Sequence, residues 1–147
     1  MNICEKVEGA DGTDGTSLPS NIIKLNLEKF FKVFDVNPFE TNTWMDDAPI
    51  TYDEIVDAIV SDRLQREPDG EKLNSRKYHI ERVAFMVVNK QARPIDIDVG
   101  IPCLNYFPSM PVEDGFHRIA AAMYNGETTI MANYSGQCDW ANQFADT

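Results

Sequence analysis

A chain of 147 residues, 43% hydrophobic and 25% charged, suits one folded domain with a moderate core and excludes a disordered composition. Its formal net charge of -11 repels nucleic-acid backbones and anionic membranes at long range, so nonspecific nucleic-acid binding is not expected. Any phosphate contact must then come from local donors, while the same acidity suits docking onto a basic protein partner.

No apolar run reaches bilayer length; the longest, "VAFMVV", fits a core helix, so no membrane association is expected. Cys4, Cys103 and Cys138 are odd in number, widely spaced and free of a C-x-x-C pattern, and His79 and His117 lie far apart. A structural zinc site is therefore not expected, and with no leader pattern the setting expected is reducing and cytoplasmic. Cys103 and Cys138 are expected to be buried small hydrophobes.

In chain order, residues 1–20, with "EGADGTDGTSLPS", read as an acidic, mobile tail, and the domain is expected over 21–147. "IIKLNL" alternates Ile23, Leu25 and Leu27 against Lys24 and Asn26, a strand. "EKFFKVFDVNPF" is open between short helix and strand, and Pro38 ends it. Trp44 is read as a core-filling loop anchor, with partner contact as the alternative. "ITYDEIVDAIVSDRL" is a helix: Thr51 and Glu54 stand at capping-box spacing, and Ile55, Val56, Ile59, Val60 and Leu64 line one face.

"REPDGEKLNSR" is a polar loop. "YHIERVAFMVVNK" is the second helix, with Ile80, Val83, Ala84, Val87 and Val88 as its buried stripe, His79 on its surface and Lys90 suited to its negative end. Pro94 breaks it. "PIDIDVGI" alternates Ile95, Ile97 and Val99 against a solvated face carrying Asp96 and Asp98, a half-buried strand. "CLNYFPSMPV" turns into another strand, and "DGFHRIAAAMYNG" is a helix with Asp114 near its start, Gly126 past its end and Ile119, Ala120 and Met123 inward. "ETTIMANYS" is a further strand, and "GQCDWANQF" a last helical turn packing Trp140 and Phe144. The order predicts an α+β fold, a small mixed sheet with helices packed against it.

The chemistry concentrates at "VEDGFHR". The first amides of a helix carry partial positive charge without internal partners, and Gly115 lets a ligand approach them. Phe116 and His117 add amides on the same turn, and Arg118 offers a charged planar fork. The group is a candidate phosphate cradle. His117 can donate to an oxyanion or exchange a proton near neutral pH. Glu113 or Asp114 can act as general base, Asp114 can bridge through Mg²⁺, or Asp114 can simply cap the helix. The bland alternative puts His117 and Arg118 on an exposed helix face, with Arg118 pairing Glu113.

"DGFHRIAAAMYNGETTI", preceded by "PIDIDVG", resembles the strand–D-G-x-H-R-x-A-A–strand signature of the ParB/sulfiredoxin-like superfamily over roughly residues 94–134. The resemblance implies nucleotide phosphate binding at Gly115, His117 and Arg118, and less directly at Asp114, with ATP, ADP or CTP as the ligand class. Phe116 stands where sulfiredoxin carries its reactive cysteine, so sulfur chemistry is not expected. Phe39 follows Pro38 where ParB proteins carry a basic residue, and no downstream helix-turn-helix is expected.

Two functions follow as expectations. One is a nucleotide- or phosphate-binding domain, catalysing phosphoryl transfer or phosphodiester hydrolysis through Glu113, Asp114 and His117 if it is an enzyme. The other is a non-catalytic acidic protein of accessory or phage type that docks on a basic target, even as a DNA mimic.

Overall fold

The computed structural model describes residues 21–41, 44 and 48–146; the expected tail at 1–20 and the "MDD" after Trp44 lie outside the described residues. The fold is α+β, with one small four-stranded mixed sheet and helices packed against it. The described residues divide into two compact units: a sheet unit, from 21–34, 93–114 and 129–146, and a helical unit, from 35–41, 44, 48–92 and 115–128.

In the sheet unit, strands β1 (Ile22–Asn26), β2 (Ile95–Asp98), β3 (Val112–Asp114) and β4 (Thr129–Ser135) lie in the order β1-β4-β2-β3. β4 pairs antiparallel with β1 and parallel with β2, while β2 pairs antiparallel with β3 across an irregularity between Asp96 and Ile97. The alternation read from the sequence holds: Leu25, Ile95, Ile97 and Val99 are fully buried. Asp96 and Asp98 are half-buried; Asp96 accepts from Asn133 at 3.2 Å, and Asp98 from the Gly100 amide and the Tyr106 hydroxyl, each at 2.9 Å.

The open segment after β1 is helix α1 (Leu27–Val33), which takes Leu27 from the expected strand because Asn26 caps it, accepting from the Lys29 amide at 2.9 Å. Phe30 packs edge-on against Phe144, centroids 5.7 Å apart, just beyond helix α5 (Cys138–Asn142). Trp140 meets Phe144 in the same way at 5.0 Å, the packing expected of the last turn. Cys103 is exposed and Cys138 half-buried, which corrects the buried reading: "PCL" forms a short 3-10 turn on a surface loop instead of entering a strand.

The helical unit holds α2 (Tyr52–Val60), α3 (Arg76–Val88) and α4 (Phe116–Tyr124). Its core joins Ile50, Ile55 and Ala58 to Ile80, Val83 and Ala84 of α3 and to Ala120 and Ala121 of α4. The expected face of α2 is narrower: Ile55 and Ala58 are buried and Ile59 and Leu64 partly so, but Val56 and Val60 face solvent, Val60 at 79% exposure. On α3 every residue from Tyr78 to Ala84 is buried, while Lys77 before them and Val88 at the end are exposed. Lys90 pairs with Glu127.

Candidate functional site

Four small or β-branched residues, Val83 and Ala84 on α3 and Ala120 and Ala121 on α4, occupy the seam between these helices. Short side chains let helix backbones approach closely. One turn toward the amino end of each helix from that seam stand His79 and His117, and their ring nitrogens meet, His79 Nδ1 to His117 Nε2, at 2.9 Å. The two rings are nearly parallel, 16° apart, and the Trp44 indole stacks on both, with centroids at 4.8 Å and 4.9 Å and 13° between planes in each case. Tyr78 sets its ring edge-on to both imidazoles.

The start of α3 is fixed by Ser75, whose hydroxyl accepts from the Tyr78 amide at 3.2 Å. His79 Nε2 lies 2.6 Å from the Leu73 carbonyl oxygen. A carbonyl only accepts, so this nitrogen carries the hydrogen. His117 occupies the second position of α4, half-buried, and its Nδ1 has no hydrogen-bond partner among the described residues.

Burial first, and then the electrostatic influence of His79, Arg82 and Arg118, hold the His117 pKa down to about 3. The Arg82 guanidinium donates to the carbonyls of Gln65 at 3.1 Å and Arg66 at 2.6 Å. His117 is therefore neutral across the physiological range.

The residues expected from sequence fall into two groups. Gly115 is the N-cap of α4, with φ 138°, a conformation that favours glycine, and no side chain caps the helix. Asp114 therefore does not cap it, which corrects that reading; it ends β3, exposed, and accepts from Arg93 at 2.9 Å. Among the described residues no acceptor meets the amides of Phe116 and His117. The Phe116 ring stands edge-on to Trp44 at 6.2 Å. Arg118 is only 8% exposed, so its side chain does not lie on an open helix face. Glu113 is exposed on β3, and no group of three or more His, Cys, Asp or Glu able to hold a metal ion occurs among the described residues.

The sequence reading missed His79, which is 3% exposed rather than on the surface, and with it Tyr78, Arg82 and the Leu73 carbonyl. The readable signal was faint: a histidine one turn before the Val83–Ala84 seam, matching His117 one turn before Ala120–Ala121.

Comparison of the chain with protein families, with curated proteins and with solved structures finds no match.

Proposed function

We propose that the helical unit binds a phosphate-bearing ligand at the first turn of α4, with a nucleotide as the ligand class that the D-G-F-H-R resemblance implies. One observation carries the reading: His117 is held neutral beside Arg82, Arg118 and His79, on a helix start whose cap is a glycine and whose first amides have no described acceptor. In a chain of net charge -11, the free amides of a helix start are the local donors that suit an anion. The Phe116 and His117 amides supply the donors, and Arg118 keeps the phosphate-binding role that the resemblance implies. If the site is catalytic, the reaction class is phosphoryl transfer or phosphodiester hydrolysis, with His117 handling the proton. Glu113, Asp114 and Mg²⁺ keep only the roles implied by residue type.

A panel of ATP, ADP and CTP, with and without Mg²⁺, read by thermal shift tests this, because a ligand bound to the native state alone raises the melting temperature. The expected result is a rise with at least one nucleotide that disappears in His117→Ala. No rise with any nucleotide counts decisively against the reading.

The sheet unit favours a second reading, docking on a basic partner. Leu104, Tyr106, Phe107 and Met110 are all exposed within seven residues, Phe107 at 62%, close in sequence to Glu113 and Asp114. Apolar anchors beside carboxylates suit a cationic, amphipathic surface. Salt-sensitive binding of a lysine-rich amphipathic peptide, weakened by Phe107→Ser and unchanged by His117→Ala, is the expected signature; salt-independent binding overturns it.

A further inference from the structure

Helix α2 carries two apolar faces where a surface helix needs one. Ile55 and Ala58 face the core of the helical unit and are fully buried. On another side Tyr52, Val56 and Val60 recur every four residues, and they are 44%, 42% and 79% exposed. Residues four apart are neighbours on a helix, so the three form one continuous ridge, about 12 Å long. Valine is a poor helix former, so Val56 and Val60 bring α2 little core packing and no helix propensity. The amino end of the ridge is aromatic and fixed. The Tyr52 ring stacks on Phe39 at 4.2 Å and on Tyr124 at 5.7 Å, and its hydroxyl donates to the Met123 carbonyl at 3.5 Å. An anchor already held in place loses little freedom when a partner covers it.

The rim of this ridge is acidic. With about 3.6 residues per turn, the exposed Asp53 and Asp57 line its edge away from Ile55 and Ala58. Asp62 is exposed just past its far end, and Glu40 is exposed next in the chain to Phe39. Arg63 pairs with Asp57, but no ion pair reaches Glu40, Asp53 or Asp62 among the described residues. We propose that the α2 ridge docks a cationic amphipathic helix of a partner protein. Its apolar side chains, three or four residues apart, lie along Tyr52, Val56 and Val60 in ridge-and-groove packing, and its flanking lysines or arginines meet the carboxylates. Charge decides against the other occupants. A second copy brings the same carboxylates and another net charge of -11 to the contact. Residues 1–20 of the chain carry Glu5, Glu8, Asp11 and Asp14, with Lys6 as their only basic side chain. The ridge lies in the helical unit, and the proposal rests on neither the phosphate reading nor the Phe107 reading.

The probe is a leucine–lysine peptide with its leucines at the spacing of one helix face, set against a scrambled peptide of the same composition. Carbon-13 methyl spectra of the full chain follow Val56 and Val60 during the titration, so binding elsewhere does not register as binding here. Both signals are expected to move saturably, the affinity to fall severalfold as salt rises, and the scrambled peptide to bind about tenfold more weakly. The double variant Val56→Ser, Val60→Ser, followed at the Tyr52 ring protons, is expected to bind about tenfold more weakly than wild type. The melting temperature reports whether it keeps the fold, and Val60→Ser alone, at the most exposed position, repeats the test. Peptide binding that moves neither valine signal overturns the proposal and leaves the Phe107 reading standing. Equal binding of the scrambled peptide, affinity independent of salt, or affinity unchanged in both variants also overturns it. A dimer seen by sedimentation and lost in the double variant assigns the ridge to a second copy, and valine signals that move when residues 1–20 are removed assign it to the chain's own tail; either result overturns the proposal.

Discussion

Glu54 and Arg76 tie the amino ends of two helices together. The Glu54 carboxylate accepts from Arg76 Nε at 2.8 Å and Nη2 at 2.6 Å, and it closes the capping box of α2 by accepting from the Thr51 amide at 2.9 Å. Arg76 also donates to the carbonyls of Ala48 at 2.7 Å and Pro49 at 2.8 Å. Because Arg76 opens α3 three residues before His79, this clamp fixes the end of the helix that carries half of the histidine pair.

Glu54→Ala removes both a cap and a bidentate partner. The expected loss is about 1–2 kcal/mol, since the pair is partly exposed and screened by solvent. Urea unfolding at pH 7 measures it. The hydrogen bond from Arg76 leads the effects that hold the Glu54 pKa below its ordinary value, so its stabilisation is present above pH 4.5 and is lost as pH falls through the depressed value. The difference between wild type and Glu54→Ala should therefore narrow toward pH 3.

His117 adds a separate acid sensitivity. Its pKa is about 3 in the fold against 6.5 for an ordinary histidine, so between these values the unfolded chain binds more protons than the native one. Stability therefore rises with pH through that window and is lost as pH falls from 6.5 toward 3, by at most about 1.4 kcal/mol per unit. Unfolding free energies at pH 6.5, 5.5 and 4.5, above the range where Glu54 changes most, should show a shallower slope in His117→Gln than in wild type. An identical slope would mean that this imidazole titrates freely in the native protein.

What was legible in the sequence was what local rules encode. Thr51 and Glu54 announced a capping box by spacing alone, and the alternation of Ile95, Ile97 and Val99 announced β2. The histidine pair was not legible, because 38 residues separate its members and nothing in either neighbourhood names the other. His79 looked like a surface residue because "YHIER" is polar, yet this turn of α3 is enclosed on all sides and its polar groups find partners inside. The same enclosure buries Arg118, whose charge reads from sequence as a surface feature. For Asp114 the helix boundary decided the matter: the chain leaves β3 at that residue, and Gly115 takes the cap.

The seam that brings the histidines together depends on alanine. Ala120 is fully buried against the α3 side of the core, and a leucine there adds three carbons to a filled space. Ala120→Leu should destabilise by about 1–3 kcal/mol and force α3 and α4 apart. The sharper readout is local: the His79–His117 hydrogen bond is expected to lengthen or break, so that the His117 ring nitrogens lose their fixed hydrogen placement in nitrogen-15 spectra. A variant that melts lower with unchanged histidine signals would show the pair held by Trp44 stacking rather than by helix spacing.

Trp44 supplies the test of that alternative. Its indole covers both imidazoles, so Trp44→Ala opens the pair to water. The half-buried ring contributes packing that, once truncated, should cost about 1–3 kcal/mol. Water reaching the rings weakens the burial that leads the depression of the His117 pKa, so that value should climb from about 3 toward 6.5. Following the His117 carbon-bound ring proton through a pH titration gives the answer directly. A midpoint that stays low in Trp44→Ala would assign the depression to Arg82, Arg118 and His79 rather than to exclusion of water, and the acid slope of unfolding in this variant should then match wild type.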